Sequence, residues 1–339
     1  MIRRFLFILT GILLYLPSLH AQEEYVRFKR ITINDGLSLS SVYNIYQDSK
    51  GFMWFGTEDG LNKYDGQSIT VYGATTDQHY ILANKWIEQV YEDKSGMIWL
   101  GSRGGLTKYN PRKGVFTTLQ HDPASIFSLS NDTVSAIIAD LRNDVWVGTF
   151  GGLNRVNRIT SEVERIEPEE EELFGLTTRI TGFLQDPSGV LWIATYRGLF
   201  SYDRKSGLFF KESADGLIDG RTTIFTMNHG TEAIWLGTSK GLVKIDLSGA
   251  KEHLHIPPQF EDPGTEIVAL LEDRLGQVWI QTGEGLFCYK VQEGSLQKIL
   301  MAGRASNSQA TNPVEPLVDD RNGDIWHGSF GDGVYQIDP

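Results

Sequence analysis

The candidate binding residues of this chain occupy seven short segments, each of which begins four residues after a tryptophan. Their side chains differ from segment to segment, and those suited to chemistry are Glu58, Asp59, Arg103, Phe150, Tyr196, Arg197, Lys240, Glu284 and Phe330. Aromatic rings can stack on the face of a sugar, while arginine, lysine and carboxylate groups can bind its hydroxyls. The mixture predicts a binding site for an oligosaccharide. The alternative is an ordinary hydrated rim of loops.

A second group of polar and aromatic residues lies in longer segments of the chain between these seven short ones. It comprises Asp77, His79, Tyr80, Lys85, Trp86, His121, Asn131, Asp132, Arg179 and Arg221. Trp86 is the one tryptophan outside the regular spacing, and it stands at the start of a predicted strand. It could face the same surface as the first group or pack in the interior, and the sequence leaves both interpretations open.

A catalytic interpretation of the same residues has less support. A glycosidase needs two carboxylates about 5 to 10 Å apart; Glu58, Asp59 and Glu284 could supply them, but nothing in their spacing selects a pair. A lyase that uses histidine could draw on His79, His121, His229 or His327. His327 lies inside an apolar strand, where we expect a hydrogen-bonded core histidine. We therefore predict that this chain is not an enzyme, with a secreted glycosidase or lyase that acts on carbohydrate as the alternative.

No cofactor is predicted from the sequence. The chain lacks the dense histidine, cysteine or carboxylate cluster typical of a transition-metal site, and it has no phosphate loop or nucleotide fingerprint. Calcium at an aspartate-rich turn remains an open alternative. The single Cys288 lies in an alternating apolar stretch, which indicates a buried structural thiol and excludes an intramolecular disulfide.

A sequence repeat predicts the strands that carry these residues. Seven tryptophans follow one another at intervals of 45, 47, 46, 43, 44 and 47 residues: Trp54, Trp99, Trp146, Trp192, Trp235, Trp279 and Trp326. Repeats of this length are typical of one small sheet per repeat. The residues on both sides of each tryptophan are mostly apolar, so we expect a strand that is buried on both faces and a sheet that is packed between other sheets.

Smaller residues of the repeat have predicted structural roles. An aspartate begins the turn before most of the tryptophans, as Asp48 does, and a small residue such as Gly148 follows two positions after the tryptophan. Small residues at that position suit close approach between neighbouring sheets. Gln281 departs from this pattern, and residues 229–232 replace the aspartate turn in the fifth repeat.

Seven four-stranded sheets of this kind are best arranged radially, so the predicted fold is all-β: a seven-bladed β-propeller over residues 22–339. The last repeat ends at Pro339 without a fourth strand, whereas residues 25–32 form an alternating strand without a repeat of their own. We expect this N-terminal strand to complete the last blade and close the ring.

The first 21 residues differ from the remainder of the chain. Arg3 and Arg4 precede an apolar run over residues 5–16, and Ala21 precedes an acidic segment. This pattern predicts a secretory signal peptide cleaved after Ala21, with an uncleaved anchor as the alternative. Removal of the leader would change the formal charge from −12 to −14. So acidic a chain is poorly suited to binding nucleic acid or anionic lipid, and no membrane contact is expected after cleavage.

The repeat resembles the two-component regulator propeller family. The resemblance rests on NDGLS at residues 34–38, VYNIYQD at 42–48, GFMWFGT at 51–57 and GLNKYD at 60–65, and on GMIWLGS at 96–102 with GLTKY at 105–109. It extends over the whole chain after the leader. These positions are the fold-forming ones, so the motif says nothing about the ligand.

The resemblance implies the periplasmic sensor of a hybrid two-component system, which perceives glycan breakdown products and controls genes for polysaccharide use. It further implies neighbouring sensor domains in the same parent chain, a parent anchored in the inner membrane, and a homodimer as one option. Family members usually continue into a second propeller, a transmembrane helix and a kinase, none of which is found in this sequence. It is therefore expected to be the first propeller of such a sensor, or a free-standing secreted propeller. A protein-interaction scaffold is the other alternative.

Overall fold

The computed structural model describes residues 22–73, 82, 84–167, 170, 173, 176–212, 222–227, 233–238, 241–246, 267–300 and 315–339. For residues 22–25, 222–227 and 300 it describes the backbone alone. The predicted leader and several named candidates lie outside these ranges: Asp77, His79, Tyr80, Arg221, His229 and Lys240.

Antiparallel sheets follow one another along the chain. The described chain opens with β1 (Gln22–Tyr25), β2 (Arg27–Ile31) and a 3₁₀ turn (Ile33–Asp35). The first blade contains β3 (Val42–Gln47), β4 (Met53–Thr57), β5 (Gly60–Tyr64) and β6 (Ile69–Tyr72). The second contains β7 (Ile87–Glu92), β8 (Ile98–Ser102), β9 (Gly105–Asn110) and β10 (Val115–Leu119). The third contains β11 (Val134–Ala139), β12 (Val145–Thr149), β13 (Gly152–Val156) and β14 (Val163–Arg165).

The remaining sheets repeat this order. The fourth blade contains β15 (Ile180–Gln185), β16 (Leu191–Thr195), β17 (Gly198–Asp203) and β18 (Leu208–Glu212). The fifth contains β19 (Thr222–Met227), β20 (Ala233–Thr238) and β21 (Gly241–Asp246). The sixth contains β22 (Ile267–Glu272), β23 (Gln277–Thr282), β24 (Gly285–Lys290) and β25 (Ser295–Leu300). The last contains β26 (Leu317–Asp319), β27 (Ile325–Gly328) and β28 (Val334–Asp338).

The structure confirms an all-β propeller built from four-stranded antiparallel blades. Six sheets contain four antiparallel strands within the described residues, whereas the fifth blade shows three. The fourth strand predicted for that blade falls in residues 247–266, which lie outside the described part of the chain. The first strand of each blade is innermost. Each innermost strand contacts that of the next blade, and β26 returns to β3.

The two ends of the chain meet in the last blade, as the sequence predicts. Strand β2 pairs antiparallel with β28, with Arg27 opposite Asp338 and Ile31 opposite Val334. One further contact was not expected: β1 pairs in parallel with β25, at the outer edge of the sixth blade. The N-terminal segment therefore connects the sixth and last blades by backbone hydrogen bonds.

The repeat tryptophans lie in the core between blades. Trp54 is 1% exposed and packs against Ile98 and Tyr109 of the second blade. Trp326 of the last blade packs in the same way against Phe55 and Tyr64 of the first. Because each tryptophan contacts the following blade, burial of its ring stabilises the contact between blades as well as the sheet to which it belongs.

The aspartate turns have a second role that the sequence did not reveal. Six aspartates accept a hydrogen bond from the indole Nε1 of the repeat tryptophan six residues later, at 2.8 to 3.0 Å: Asp48, Asp93, Asp140, Asp186, Asp273 and Asp320. The other carboxylate oxygen accepts backbone N–H groups of the turn. The fifth repeat lacks the aspartate, and Nε1 of Trp235 is buried without an acceptor among the described residues.

The small residues after the tryptophans permit close blade contacts, as predicted. A Cβ atom at Gly148 would lie 2.5 Å from Cβ of Ile180, the first residue of the next innermost strand. The same strand order places Gln281 at this position of the sixth blade, where it is 2% exposed.

Candidate functional site

A β-bulge near the start of the innermost strands places one residue per blade at the central channel. The register of β3 with β4 shifts between Val42 and Asn44, and five more blades show the same shift. A bulge re-aims the extra residue. Channel-lining residues at the bulge position are Tyr43, Glu88, Ser135, Thr181 and Val268, and Glu315 takes the corresponding place in the last blade.

These residues line a cavity of about 620 Å³ on the propeller axis. The side of the cavity formed by the first four blades is polar and aromatic, and it includes Arg103, Phe150, Arg179 and Tyr196. The opposite side, formed by the sixth and last blades, is mostly apolar and is lined by Val268, Ala269, Leu270, Pro316, Leu317 and Val318. A cavity of this size with convergent polar groups on one wall is typical of a small-molecule site.

Three predicted site residues, Glu58, Trp86 and Arg103, meet in what we call the Trp86 cluster. The cluster also includes Tyr43 and Glu88. The guanidinium of Arg103 lies over the ring of Trp86, with Cζ 3.2 Å from the ring centroid. Its Nε donates to Oε1 of Glu88 at 2.9 Å. On the other side of Trp86, the ring of Tyr43 lies 5.4 Å away between centroids, and its hydroxyl donates to Glu58. The half-buried Trp86 thus lies against two residues that line the channel, Tyr43 and Arg103, but it is not itself among the lining residues.

A second group, the Arg179 cluster, consists of Phe150, Arg179 and Tyr196. Cζ of Arg179 lies 3.9 Å from the ring centroid of Phe150 and 5.1 Å from that of Tyr196. Its Nη1 donates to the Tyr196 hydroxyl at 2.8 Å. Phe150 and Tyr196 are 39% and 36% exposed, so their rings are accessible to a ligand. The cluster spans the third and fourth blades.

Local backbone bonds explain why these residues meet. The residue four positions after the tryptophan donates its N–H to the residue that precedes the innermost strand, as Phe150 does to Thr133 at 3.0 Å and Tyr196 to Arg179 at 3.1 Å. Trp86 occupies the same position as Arg179, immediately before β7. The two groups of candidates in the sequence are therefore adjacent rows on one face of the propeller.

Of the predicted site residues, only Arg103, Phe150, Arg179 and Tyr196 are among the described residues that line the cavity; Glu58 and Trp86 lie behind them. Asp59 pairs with Nζ of Lys85 at 3.0 Å on the rim, with both side chains about half exposed. The side chains of Arg197, Glu284 and Phe330 are exposed on their own turns. Lys240 lies outside the described residues. Asp59, Arg197, Glu284 and Phe330 therefore lie on the rim of the cavity rather than on its wall.

The two described candidate histidines, His121 and His327, are engaged in structural contacts. His327 is buried, and its Nε2 lies 3.3 Å from Oε2 of Glu315, which confirms the expectation of a hydrogen-bonded core histidine. Nδ1 of His121 contacts the carbonyl of Leu129 at 2.6 Å. The two carboxylates that line the cavity, Glu88 and Glu315, are each engaged, with Arg103 and His327 respectively. His79 and His229 lie outside the described residues.

Two further sequence expectations concern single groups. Cys288 is buried, as predicted, with Sγ 3.0 Å from Oε1 of Gln277.

Within the described ranges, no group of three or more histidine, cysteine, aspartate or glutamate side chains converges to hold a metal ion. Across the same ranges, no helix has the length and apolar character needed to cross a membrane.

Tyr43, Glu88 and Glu315 were missed as site residues, although a signal was present. Each stands eleven positions before a repeat tryptophan, as Ser135, Thr181 and Val268 do. That position varies from tyrosine to glutamate to valine inside strands that are otherwise regular. The sequence does not show the bulge that turns this position toward the channel.

Comparison with known proteins confirms the family resemblance. Residues 36–59 and 175–197 match the sequence profile of the family described as two component regulator propeller. A stretch of 55 residues, 16% of this chain, is 53% identical to part of histidine kinase P4 of Formosa agariphila and covers 4% of that protein. The chain thus spans a small fraction of the kinase.

Two solved structures show the same fold. The extracellular domain of BT3049 from B. thetaiotaomicron, described as a hybrid two component system, aligns with a TM-score of 0.75 at 23% identity, over 92% of this chain and 42% of that chain. A virginiamycin B lyase from Staphylococcus aureus aligns with a TM-score of 0.67 at 13% identity, over 93% and 99%. At these identities the likeness shows the fold alone.

Proposed function

Because two segments of this chain match the two-component regulator propeller family, we propose that it is the sensor propeller of a hybrid two-component histidine kinase and response regulator. In this proposal the propeller is not an enzyme. It binds an oligosaccharide or another small glycan-derived ligand at the channel mouth, and binding controls transcription of genes for polysaccharide use.

The proposal includes the cellular setting. The leader would direct residues 22–339 to the periplasm, and neighbouring sensor domains of the parent chain, anchored in the inner membrane, would receive the signal, with a homodimer as one arrangement. The complete ring would have seven four-stranded blades. A histidine kinase relative and the extracellular domain of a two-component system among similar structures support this setting.

One observation supports the ligand site above all others: the Trp86 and Arg179 clusters converge on a single cavity. Four blades contribute to them, and the rings of Phe150 and Tyr196 are accessible at the mouth. Stacking on aromatic rings together with hydrogen bonds from arginine and carboxylate groups suits a polyhydroxylated ligand. A merely structural rim would not require aromatic side chains to be exposed at this place.

The test is calorimetric titration of residues 22–339 with oligosaccharides prepared from plant, algal and microbial polysaccharides. We expect at least one preparation to bind, and Phe150→Ala combined with Tyr196→Ala to weaken its affinity at least about tenfold, through the loss of two stacking surfaces. The matched control replaces Leu208 and Phe210 by alanine. They are 56% and 47% exposed on the outer strand β18.

The outcomes separate the alternatives. If the variant with Phe150→Ala and Tyr196→Ala binds the oligosaccharide as tightly as the wild type, the ligand lies elsewhere. If no preparation binds, a protein-interaction scaffold is favoured. Shortened or unsaturated products after incubation with the purified propeller would show an enzyme, the alternative that the fold of the lyase keeps open.

A further inference from the structure

Arg179 differs from the other cation of the cavity wall in having no counter-ion. Arg103 pairs with Glu88 at 2.9 Å. Arg179, by contrast, forms no ion pair with any described carboxylate, and its Nε is buried without an acceptor. Its polar contact is the Tyr196 hydroxyl, and its guanidinium is otherwise covered by aromatic rings. A partly desolvated charge without a partner is costly, so an anionic partner is favoured.

The surroundings of Arg179 increase this preference. Arg197 stands next to Tyr196 on the same turn, with its side chain exposed. The described mouth of the fourth blade therefore contains two arginines and no acidic residue, in a chain with a formal charge of −12. The guanidinium presents parallel N–H donors whose geometry matches a carboxylate or a sulfate, and cation–π contacts with Phe150 and Tyr196 hold its plane in place.

We propose that the fourth blade binds an anionic substituent of the glycan ligand, a carboxylate of a uronic acid or a sulfate ester, through Arg179. Arg197 contributes a second positive charge at longer range. The aromatic rings on either side then contact the sugar that bears the anionic group. This inference rests on the proposed function, and it deepens that proposal by naming the class of glycan.

The experiment compares neutral, uronate-containing and sulfated oligosaccharides by calorimetry against the wild type, Arg179→Gln and Arg179→Lys. Comparison of the uronate-containing with the sulfated oligosaccharides shows whether the bound group is a carboxylate or a sulfate ester. Loss of a charge-assisted hydrogen bond predicts at least about tenfold weaker binding of the anionic ligand by Arg179→Gln. Arg179→Lys retains the positive charge but lacks the parallel N–H donors of the guanidinium, so we expect an intermediate loss of affinity.

The matched control is Arg112→Gln, which removes an exposed arginine from the opposite face of the propeller. We expect Arg112→Gln to bind like the wild type, and all variants to show wild-type melting curves. Binding of neutral oligosaccharides alone, or equal binding of an anionic one by Arg179→Gln, would overturn this inference and leave the proposed function standing. Binding of none of the three classes would overturn both.

Discussion

At the residue scale, the aspartate of each turn is the most informative single side chain. Asp140 is 2% exposed, yet it accepts from the indole of Trp146 at 3.0 Å and from the backbone N–H of Arg142 at 2.9 Å and Asp144 at 3.0 Å. Arg204 of the fourth blade adds an ion pair at 2.5 Å. One carboxylate thus closes a turn, orients a core tryptophan and connects two blades.

These contacts predict how stability depends on pH. Burial, the largest influence, raises the pKa of Asp140, but hydrogen bonds from Arg204 and Trp146 outweigh it and hold the pKa below its usual value. The pKa of Asp93 is likewise lowered, because bonds from Ser95 and Trp99 outweigh burial. A carboxylate whose folded-state pKa is depressed stabilises the fold above about pH 4, and that contribution is lost as the pH falls through the folded-state pKa.

We predict that Asp140→Asn costs on the order of 3 kcal/mol at pH 7, because it leaves the half-buried Arg204 partly unpaired. Chemical denaturation at pH 7, 5 and 3 should show the difference from wild type shrinking below about pH 4. The control Glu164→Gln removes the exposed pair with Arg155 and should cost less than about 1 kcal/mol. A difference that is the same at all three pH values would contradict the assigned role of the carboxylate.

At the element scale, the blade could be predicted almost completely from the sequence, whereas the site could be predicted only in part. The apolar residues around each tryptophan and the aspartate turns fix four strands and their order, because these features depend on neighbours close in the chain. The turns that begin four residues after each repeat tryptophan could be identified as candidates for the same reason. Tyr43 and Glu88 line the channel because a bulge turns them toward it, and Arg179 contacts Phe150 because two blades pack together. Neither feature follows from the spacing of residues in the sequence.

The contact between blades makes a direct prediction about Gly148. A Cβ there would meet Ile180 at 2.5 Å, so Gly148→Ala should force the third and fourth blades apart and cost about 1–3 kcal/mol. Gly283→Ala is the matched control, since no atom lies within 4 Å of its Cβ position. Thermal unfolding followed by tryptophan fluorescence measures both variants. A variant at Gly148 as stable as the one at Gly283 would show that the blades separate at no cost.

At the scale of the whole molecule, the N-terminal segment pairs with two different blades. Strand β2 completes the last blade, and β1 extends the sixth. Closure of this kind removes an open sheet edge and places the N-terminal segment within the ring. The candidate site requires this closure, since residues of both the first and the last blades, which are neighbours in the ring, line the cavity.

Shortened chains test the closure. Residues 33–339, which lack both β1 and β2, should melt on the order of 10 °C lower than residues 22–339, mainly because Ile31 and the ladder from β2 to β28 are lost. Residues 26–339, which lack β1 alone, should melt only a few degrees lower, since β1 adds to an outer edge. Calorimetric melting curves of the three chains give the comparison. Identical curves for residues 33–339 and 22–339 would show that β2 does not hold the ring.

In our proposal, this propeller binds a glycan-derived ligand at the channel mouth between the Trp86 and Arg179 clusters. A crystal structure of residues 22–339 with the tightest-binding oligosaccharide of the calorimetric panel would show directly where the ligand lies. We predict a sugar ring in contact with Phe150 and Tyr196, above the cavity lined by Tyr43 and Glu88. A sugar bound on the opposite face, among the aspartate turns, or at the outer strands would contradict the claim.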